Sequence, residues 1–413
     1  MAWQPQSRPT WVDAFNALGA NLGDDGRSLV PLDLEELLAA AVRNTAVSDF
    51  GDDGFRSGLA TLLDALEKEA RLTLVGRILA RAEIQRILQN RLHMEAARRQ
   101  HPAISDERID APIFITGLGR SGTTLLHDLL ALDPENRVPM QWELMYSCPP
   151  PETASYKTDP RIEQVRREIT VMAEADAAFP QMHDLAADMP TECIYIFAHE
   201  FRSDMFVGEF NIPSYAIWNG TTDLTPAYAY HRRMLQLLQY RHPGRWVLKA
   251  PSHLAHLPNL FAEYPDARVV VTHRDPLRVI GSLGNLMGTL QRMRSDHVDY
   301  PSRVAQIAFG FSFLLQRVLQ QLDEGLIPAD RVKDVRYLDL VRDPVGTVRR
   351  LYADWGQPFR EDFARRIDTH LAAQKHGAHG GHRYSFGDTG LNLDEQRAAF
   401  AAYMQRFDVA SEV

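Results

Sequence analysis

The sequence predicts an α/β protein: a central, mainly parallel sheet between two helical layers, preceded by a helical region and interrupted by a helical insertion. Three observations predict it. Pro112-Ile113-Phe114-Ile115-Thr116 is a short apolar run that opens into Gly117-Leu118-Gly119-Arg120-Ser121-Gly122, then into Thr123-Thr124 and a leucine-rich helix. Strand, glycine turn and helix start together make a phosphate cradle, in which backbone N–H groups and the helix dipole face an anion. Beyond this loop, strand-like and helix-like patterns alternate, which argues for a parallel sheet covered by helices. Before it, from about residue 32 to 100, only helical periodicity is found.

In chain order, Leu34, Leu37, Leu38 and Val42 form one apolar helix face, and Leu59, Leu62, Leu63 and Leu66 form another. Residues 72–98 repeat the pattern and end in arginines, which suit a helix C-terminus. Residues 1–108 are therefore expected to be a helical cap or lid, and 109–413 the α/β domain. Expected strands are Ile113–Thr116, Trp246–Leu248, Arg268–Thr272 and Val332–Tyr337. Expected helices are Gly122–Leu132, Leu254–Tyr264, Pro276–Leu290 and Pro344–Trp355. The stretch from about 140 to 240, broken by prolines, reads as a helical insertion that shapes the substrate side of the pocket. The glycine- and histidine-rich segment His376–Tyr384 reads as a mobile loop, with a lid over the ligand as its functional counterpart.

Composition narrows the function. A net charge of −9 argues against a general nucleic-acid binder. No apolar run approaches a membrane span and the first residues form no signal pattern, so a cytoplasmic location is expected. Cys148 and Cys193 are the two cysteines, too few for a disulfide framework, and no metal site is expected. Lysine occurs at positions 68, 157, 249, 333 and 375 in a chain otherwise rich in arginine. Lys249, at the end of an apolar strand and before Pro251, is therefore expected to point into the cleft above the sheet.

The loop departs from the Walker pattern G-x-x-x-x-G-K-[ST]: Gly117 and Gly122 are correctly spaced, but Thr123 stands in place of the lysine that serves a nucleoside triphosphate. The charge sits inside the loop, on Arg120. Downstream, Val269-Val270-Val271-Thr272-His273-Arg274-Asp275-Pro276 places Arg274 at a strand end, with Ser282 two turns into the following helix, so that both can grip one anion.

Together these segments resemble the sulfotransferase family that uses 3′-phosphoadenosine-5′-phosphosulfate (PAPS), over roughly residues 113–344 and more weakly to about 391. The run Arg120-Ser121-Gly122-Thr123-Thr124 resembles the family's 5′-phosphosulfate loop, in the form found in bacterial and carbohydrate- or protein-modifying members. Arg274 and Ser282 match its 3′-phosphate pair, and Lys249 matches the lysine that contacts the transferring sulfonate. Tyr337, in a segment similar to the family's late strand and turn, and His382 and Arg383 of the histidine-rich loop, complete the expected donor site. The resemblance implies a P-loop-like fold and transfer of a sulfonate to the hydroxyl of a small acceptor, without a metal. The insertion's aromatics Phe179, Tyr195, Phe197, Phe201, Phe206, Phe210, Tyr215 and Trp218 are expected to be helix core in part, with a surplus lining the pocket that favours a lipidic or phenolic acceptor over a free sugar. Lys249 and Arg120 would stabilise charge on the leaving group. The general base is open among Glu143, the first candidate, His253, and Glu192. His127 is expected to be a packed histidine. A P-loop small-molecule kinase and a catalytically inactive nucleotide-binding protein are the alternatives, and a homodimer is left open.

Overall fold

The computed structural model describes residues 3–4, 7–176, 186–377 and 386–413. Four helices come first: α1 (Thr10–Asn21), α2 (Leu34–Thr45), α3 (Phe55–Lys68) and α4 (Leu74–Gln100). The sheet and the phosphate-loop helix follow as β1 (Ile113–Gly117), α5 (Thr123–Ala131), β2 (Asn136–Arg137), β3 (Arg245–Lys249), β4 (Arg268–His273) and β5 (Val332–Arg336). The sheet order is β2-β3-β1-β4-β5 and every pairing is parallel. The four expected strands thus lie within a residue or two of their expected bounds. Two-residue β2 carries too short a pattern to be seen in the sequence. The helices Pro276–Arg292 and Pro344–Asp354 also match, whereas the expected helix from Leu254 begins as a 3₁₀ turn, Pro251–His256, before Leu257–Glu263.

Alternation along buried strands builds the three layers. Ile113 and Ile115 of β1, with Val247 and Val270, pack on Leu126, Leu129 and Leu130 of α5 and on Val348, Leu351 and Ile367. On the other face, Phe114, Leu248, Val269 and Val271 meet Tyr228, Met234, Leu277, Ile280 and Val304. Asp-Pro pairs set where the covering helices begin. Asp275 accepts from the N–H of Leu277 at 3.0 Å and Asp343 from that of Gly346 at 2.8 Å, each just ahead of a proline that lacks the N–H a first turn would leave unpaired.

The N-terminal helices do not pack alone. Leu37, Phe55, Leu59, Leu62, Ile84 and Leu88 share one core with Phe201, Phe206, Phe210 and Tyr215 of the insertion. Arg91, fully buried, fastens the two. It donates to Glu200 Oε1 at 2.5 Å and to the carbonyls of His199 and Asp52, both at 2.9 Å, and its guanidinium lies 4.2 Å from the Phe55 ring centroid. Arg91→Ala would leave the buried His199 carbonyl without its donor and Glu200 with Arg202 alone, so it is expected to cost about 3–5 kcal/mol of stability, the usual range for breaking a buried pair. Urea unfolding followed by circular dichroism measures it; a loss under ~1 kcal/mol, the level of a surface pair, would contradict this role.

Candidate active site

The site lies at the carboxyl ends of β1, β3 and β4, around the loop joining β1 to α5. Gly117 has φ +144° and Gly122 φ +95°, conformations that side chains resist. A Cβ on Gly122 would also sit 2.9 Å from the Tyr337 ring. Arg120 holds φ +65° without being glycine, a cost of order 1–3 kcal/mol, and its side chain turns to Ser282, with Nε 3.2 Å from Oγ. The first N–H groups of α5 have no acceptor within the helix and face the loop's mouth.

Not every hydroxyl of the loop is available. Ser121 is buried, and its Oγ donates to the carbonyl of Leu118 at 2.5 Å and lies 2.6 Å from Thr272 Oγ1. Ser121 therefore shapes the loop: its N–H also donates to the Leu118 carbonyl, at 3.2 Å, so its expected place among the ligand contacts is corrected to a positioning one. Thr123 is buried at the start of α5, in the Walker lysine position, whereas Thr124 is exposed.

Two polar groups flank the loop. On one side, Lys249 at the end of β3 donates to Thr124 Oγ1 at 3.2 Å and to Glu192 Oε1 at 2.6 Å. Glu192 is held there by its neighbours: the N–H of Thr191 donates to Pro139 O and that of Cys193 to Lys249 O, both at 2.8 Å. On the other side, Arg274 donates to the carbonyl of Arg120 at 3.0 Å, and its guanidinium stacks 3.7 Å from the Tyr337 centroid. Arg120, Arg274, Ser282 and Tyr337 thus form one cluster. Arg120 belongs with Ser282, not with Lys249, so its expected place beside the leaving group is not what the geometry gives.

Arg274 has a partner that the sequence did not suggest. Glu412 takes both edges of its guanidinium, at 2.9 Å from Nε and 2.9 Å from Nη2. The C-terminal segment is fixed by Asp275, which pairs with Arg397 through two 2.9 Å bonds and accepts the Glu412 N–H at 2.7 Å. A carboxylate therefore occupies the very fork that was expected to take a phosphate.

The expected general bases separate. Glu143 is fully buried: Oε1 accepts from Arg137 at 2.7 Å, and Oε2 from the Met140 N–H at 2.9 Å and the Tyr156 hydroxyl at 3.0 Å. Burial pushes its carboxyl up despite the Arg137 guanidinium. With both oxygens engaged and no surface exposed, Glu143 pins the turn after β2, and its expected role as base is corrected on that ground. His253 is also fully buried, its Nδ1 2.8 Å from the Tyr228 hydroxyl and its ring against Phe114 and Phe197, so it too cannot reach an acceptor. Glu192, whose side chain retains 19% exposure, faces the loop. His127 packs as expected: Nε2 lies 3.1 Å from Val247 O, and burial holds its ring down to about 3. His382, Arg383 and Phe179 lie outside the described residues. The aromatics Phe197, Phe201, Phe206, Phe210 and Tyr215, expected in part to line a pocket, are core residues, each at most 2% exposed.

With strand, loop and flanking cations in place, residues 112–361 match the model of a sulfotransferase family, and the chain belongs to that family. The protein is a sulfotransferase, and its reaction needs a sulfonate donor. The kinase and inactive-protein alternatives fall away with this membership. The chain is 29% identical to sulfotransferase STF9 from Mycobacterium avium, whose structure superposes with a TM-score of 0.84 over 92% of this chain and 97% of that one. It is 32% identical to sulfotransferase STF1 from Mycobacterium tuberculosis H37Rv, with a TM-score of 0.79 over 90% and 98% of the two chains. Over 282 residues, 64% of this chain and 67% of the relative, it is 27% identical to the omega-hydroxy-beta-dihydromenaquinone-9 sulfotransferase Stf3 of Mycobacterium tuberculosis. Among the described residues no helix is long and apolar enough to cross a membrane.

Proposed function

We propose that the protein transfers the sulfonate of PAPS to a hydroxyl of a small lipidic acceptor, with Glu192 as general base and Lys249 as the cation on the transferring group. The observation that carries this reading is the separation of two polar clusters by the loop. Lys249, Thr124 and Glu192 suit the sulfonate end, while Arg274, Ser282, Arg120 and Tyr337 suit a second phosphate. A loop with threonine in the Walker lysine position fits a donor with no γ-phosphate. In the reaction, the acceptor oxygen bonds to sulfur as the bond from sulfur to the 5′-phosphate oxygen breaks. The acceptor proton passes to Glu192, and the electron pair leaves on adenosine 3′,5′-bisphosphate. Lys249, released from Glu192 toward the bridging oxygen, offsets the charge that builds there.

The lipidic acceptor rests on the similarity to Stf3. The aromatic residues of the insertion do not argue for it, because they are core. A cytoplasmic location belongs to the same proposal: the free thiols Cys148 and Cys193 suit a reducing compartment. Incubation with sulfur-labelled PAPS and a panel of hydroxylated lipids, phenols and sugars tests the reading. Label in a lipid alcohol is expected; label in free sugars alone would overturn the acceptor class.

The Glu412–Arg274 pair gives a separate prediction for the donor. Glu412→Ala removes the competitor for Arg274, so adenosine 3′,5′-bisphosphate should bind about tenfold more tightly, a gain of ~1.4 kcal/mol. Arg274→Ala should weaken it by roughly 1.5–3 kcal/mol, the range for a charged hydrogen bond. Calorimetry on both variants, repeated with adenosine 5′-monophosphate, reads this out. Equal changes for the two ligands would contradict the assignment of Arg274 to the 3′-phosphate.

A further inference from the structure

We infer that Cys193, His231 and His253 form a structural metal site for a borderline-soft divalent ion of the zinc class, buried beneath the turn that carries Glu192. The three come from distant parts of the chain: the turn after Thr191, the helix Thr225–Gln239 and the 3₁₀ turn Pro251–His256. All are fully buried, and the Cys193 sulfur and one ring nitrogen of each histidine lie within 4.8 Å of one another.

The hydrogen bonds show which nitrogen of each ring is left without a partner. His231 Nδ1 is 2.8 Å from the Tyr264 hydroxyl and His253 Nδ1 is 2.8 Å from the Tyr228 hydroxyl. On each ring Nε2 is buried without a hydrogen-bond partner. Leaving such a group unsatisfied costs about 1–3 kcal/mol, and two beside one thiol need an explanation. An outer partner on one ring nitrogen, with the other aimed at a shared point, is the arrangement by which metal-binding histidines are oriented. Phe114 and Phe197 wall both imidazoles, with centroids 5.0–5.9 Å away, and so shield the point from solvent. Two imidazoles and a thiolate supply three of the four donors that a tetrahedral zinc ion takes, and a water would complete the set. Binding replaces the Cys193 thiol proton, which leaves to solvent; nothing is oxidised or reduced.

The ion would act on structure and, through it, on the active site. Cys193 follows Glu192, and its N–H donates to the carbonyl of Lys249. Tying Cys193 to His253, four residues beyond Lys249, fixes the turn bearing Glu192 against the end of β3.

The test uses the full chain produced in zinc- and in cobalt-supplemented media, with metal content measured by mass spectrometry and thiolate ligation by absorption. The expected result is one ion per chain and, with cobalt, a thiolate-to-metal charge-transfer band. That band should survive Cys148→Ser and vanish in Cys193→Ser. Tyr228→Phe, which keeps the ring's packing, should hold the ion about 10–100-fold less tightly against a chelator, as loss of an outer partner does. Folding of each variant is followed by circular dichroism. Should Cys193→Ser fail to fold, the wild-type band and the Tyr228→Phe competition still decide. A folded wild-type protein without stoichiometric ion, with water between the two imidazoles instead, would overturn the inference. So would a cobalt band that persists in folded Cys193→Ser.

Discussion

Glu192→Gln is expected to lower kcat by about 10²–10⁴-fold, the usual share of a positioned proton acceptor. Glutamine keeps the size of the side chain and an oxygen for Lys249, and the backbone bonds of Thr191 and Cys193 that place it are untouched. Affinity for adenosine 3′,5′-bisphosphate should therefore change little, which separates a chemical defect from a misfolded site. Glu143→Gln gives the contrast. There the loss should appear in the unfolding midpoint, because Arg137, itself buried, loses its charged partner, while turnover per folded molecule is retained. The reverse pattern, with Glu143→Gln inactive but stable and Glu192→Gln active, would return the base to Glu143.

Lys249→Met should be of similar severity, a fall in kcat of about 10²–10³-fold, comparable with removal of one preorganised donor to developing charge. Methionine fills the volume of the buried stem, so the 3% exposure of this side chain predicts little strain from the swap. The variant also leaves Glu192 without its cation, and Glu192 should then be free to move. The bridging oxygen leaves with the bisphosphate, so product affinity should fall too, but by far less than kcat, because the charge Lys249 meets is greatest in the transition state. Steady-state kinetics with saturating PAPS, beside calorimetry with the bisphosphate, measures both. Equal loss of turnover and of product affinity would show that Lys249 holds the nucleotide and not the transferring group.

Strands β1, β3 and β4 were legible because each carries an apolar run bounded by glycine, proline or charged residues, and Asp-Pro pairs announce the helices that follow. Lys249 was legible for the same reason: a lysine at the end of such a run has few places to go except the cleft. The general base was harder. Glu143 sits at the right distance in sequence, but Arg137, only six residues earlier, folds back under it, and nothing local shows that this arginine will be buried. Glu192 is brought to the site by a bond across the chain from Cys193 to Lys249, a long-range register that spacing does not reveal. His253 likewise looked available until helix Thr225–Gln239 placed Tyr228 against it. The contact of Glu412 with Arg274 depends on the last residues returning to Asp275, again a tertiary event.

The account stands on a site divided between a sulfonate end and a second phosphate end. Calorimetry comparing adenosine 3′,5′-bisphosphate in the presence of EDTA with ATP in the presence of Mg²⁺ tests that division most directly. The account predicts tight, metal-independent binding of the bisphosphate and weak binding of ATP. Preference for Mg-ATP, or equal affinity for adenosine 5′-monophosphate and the bisphosphate, would contradict it.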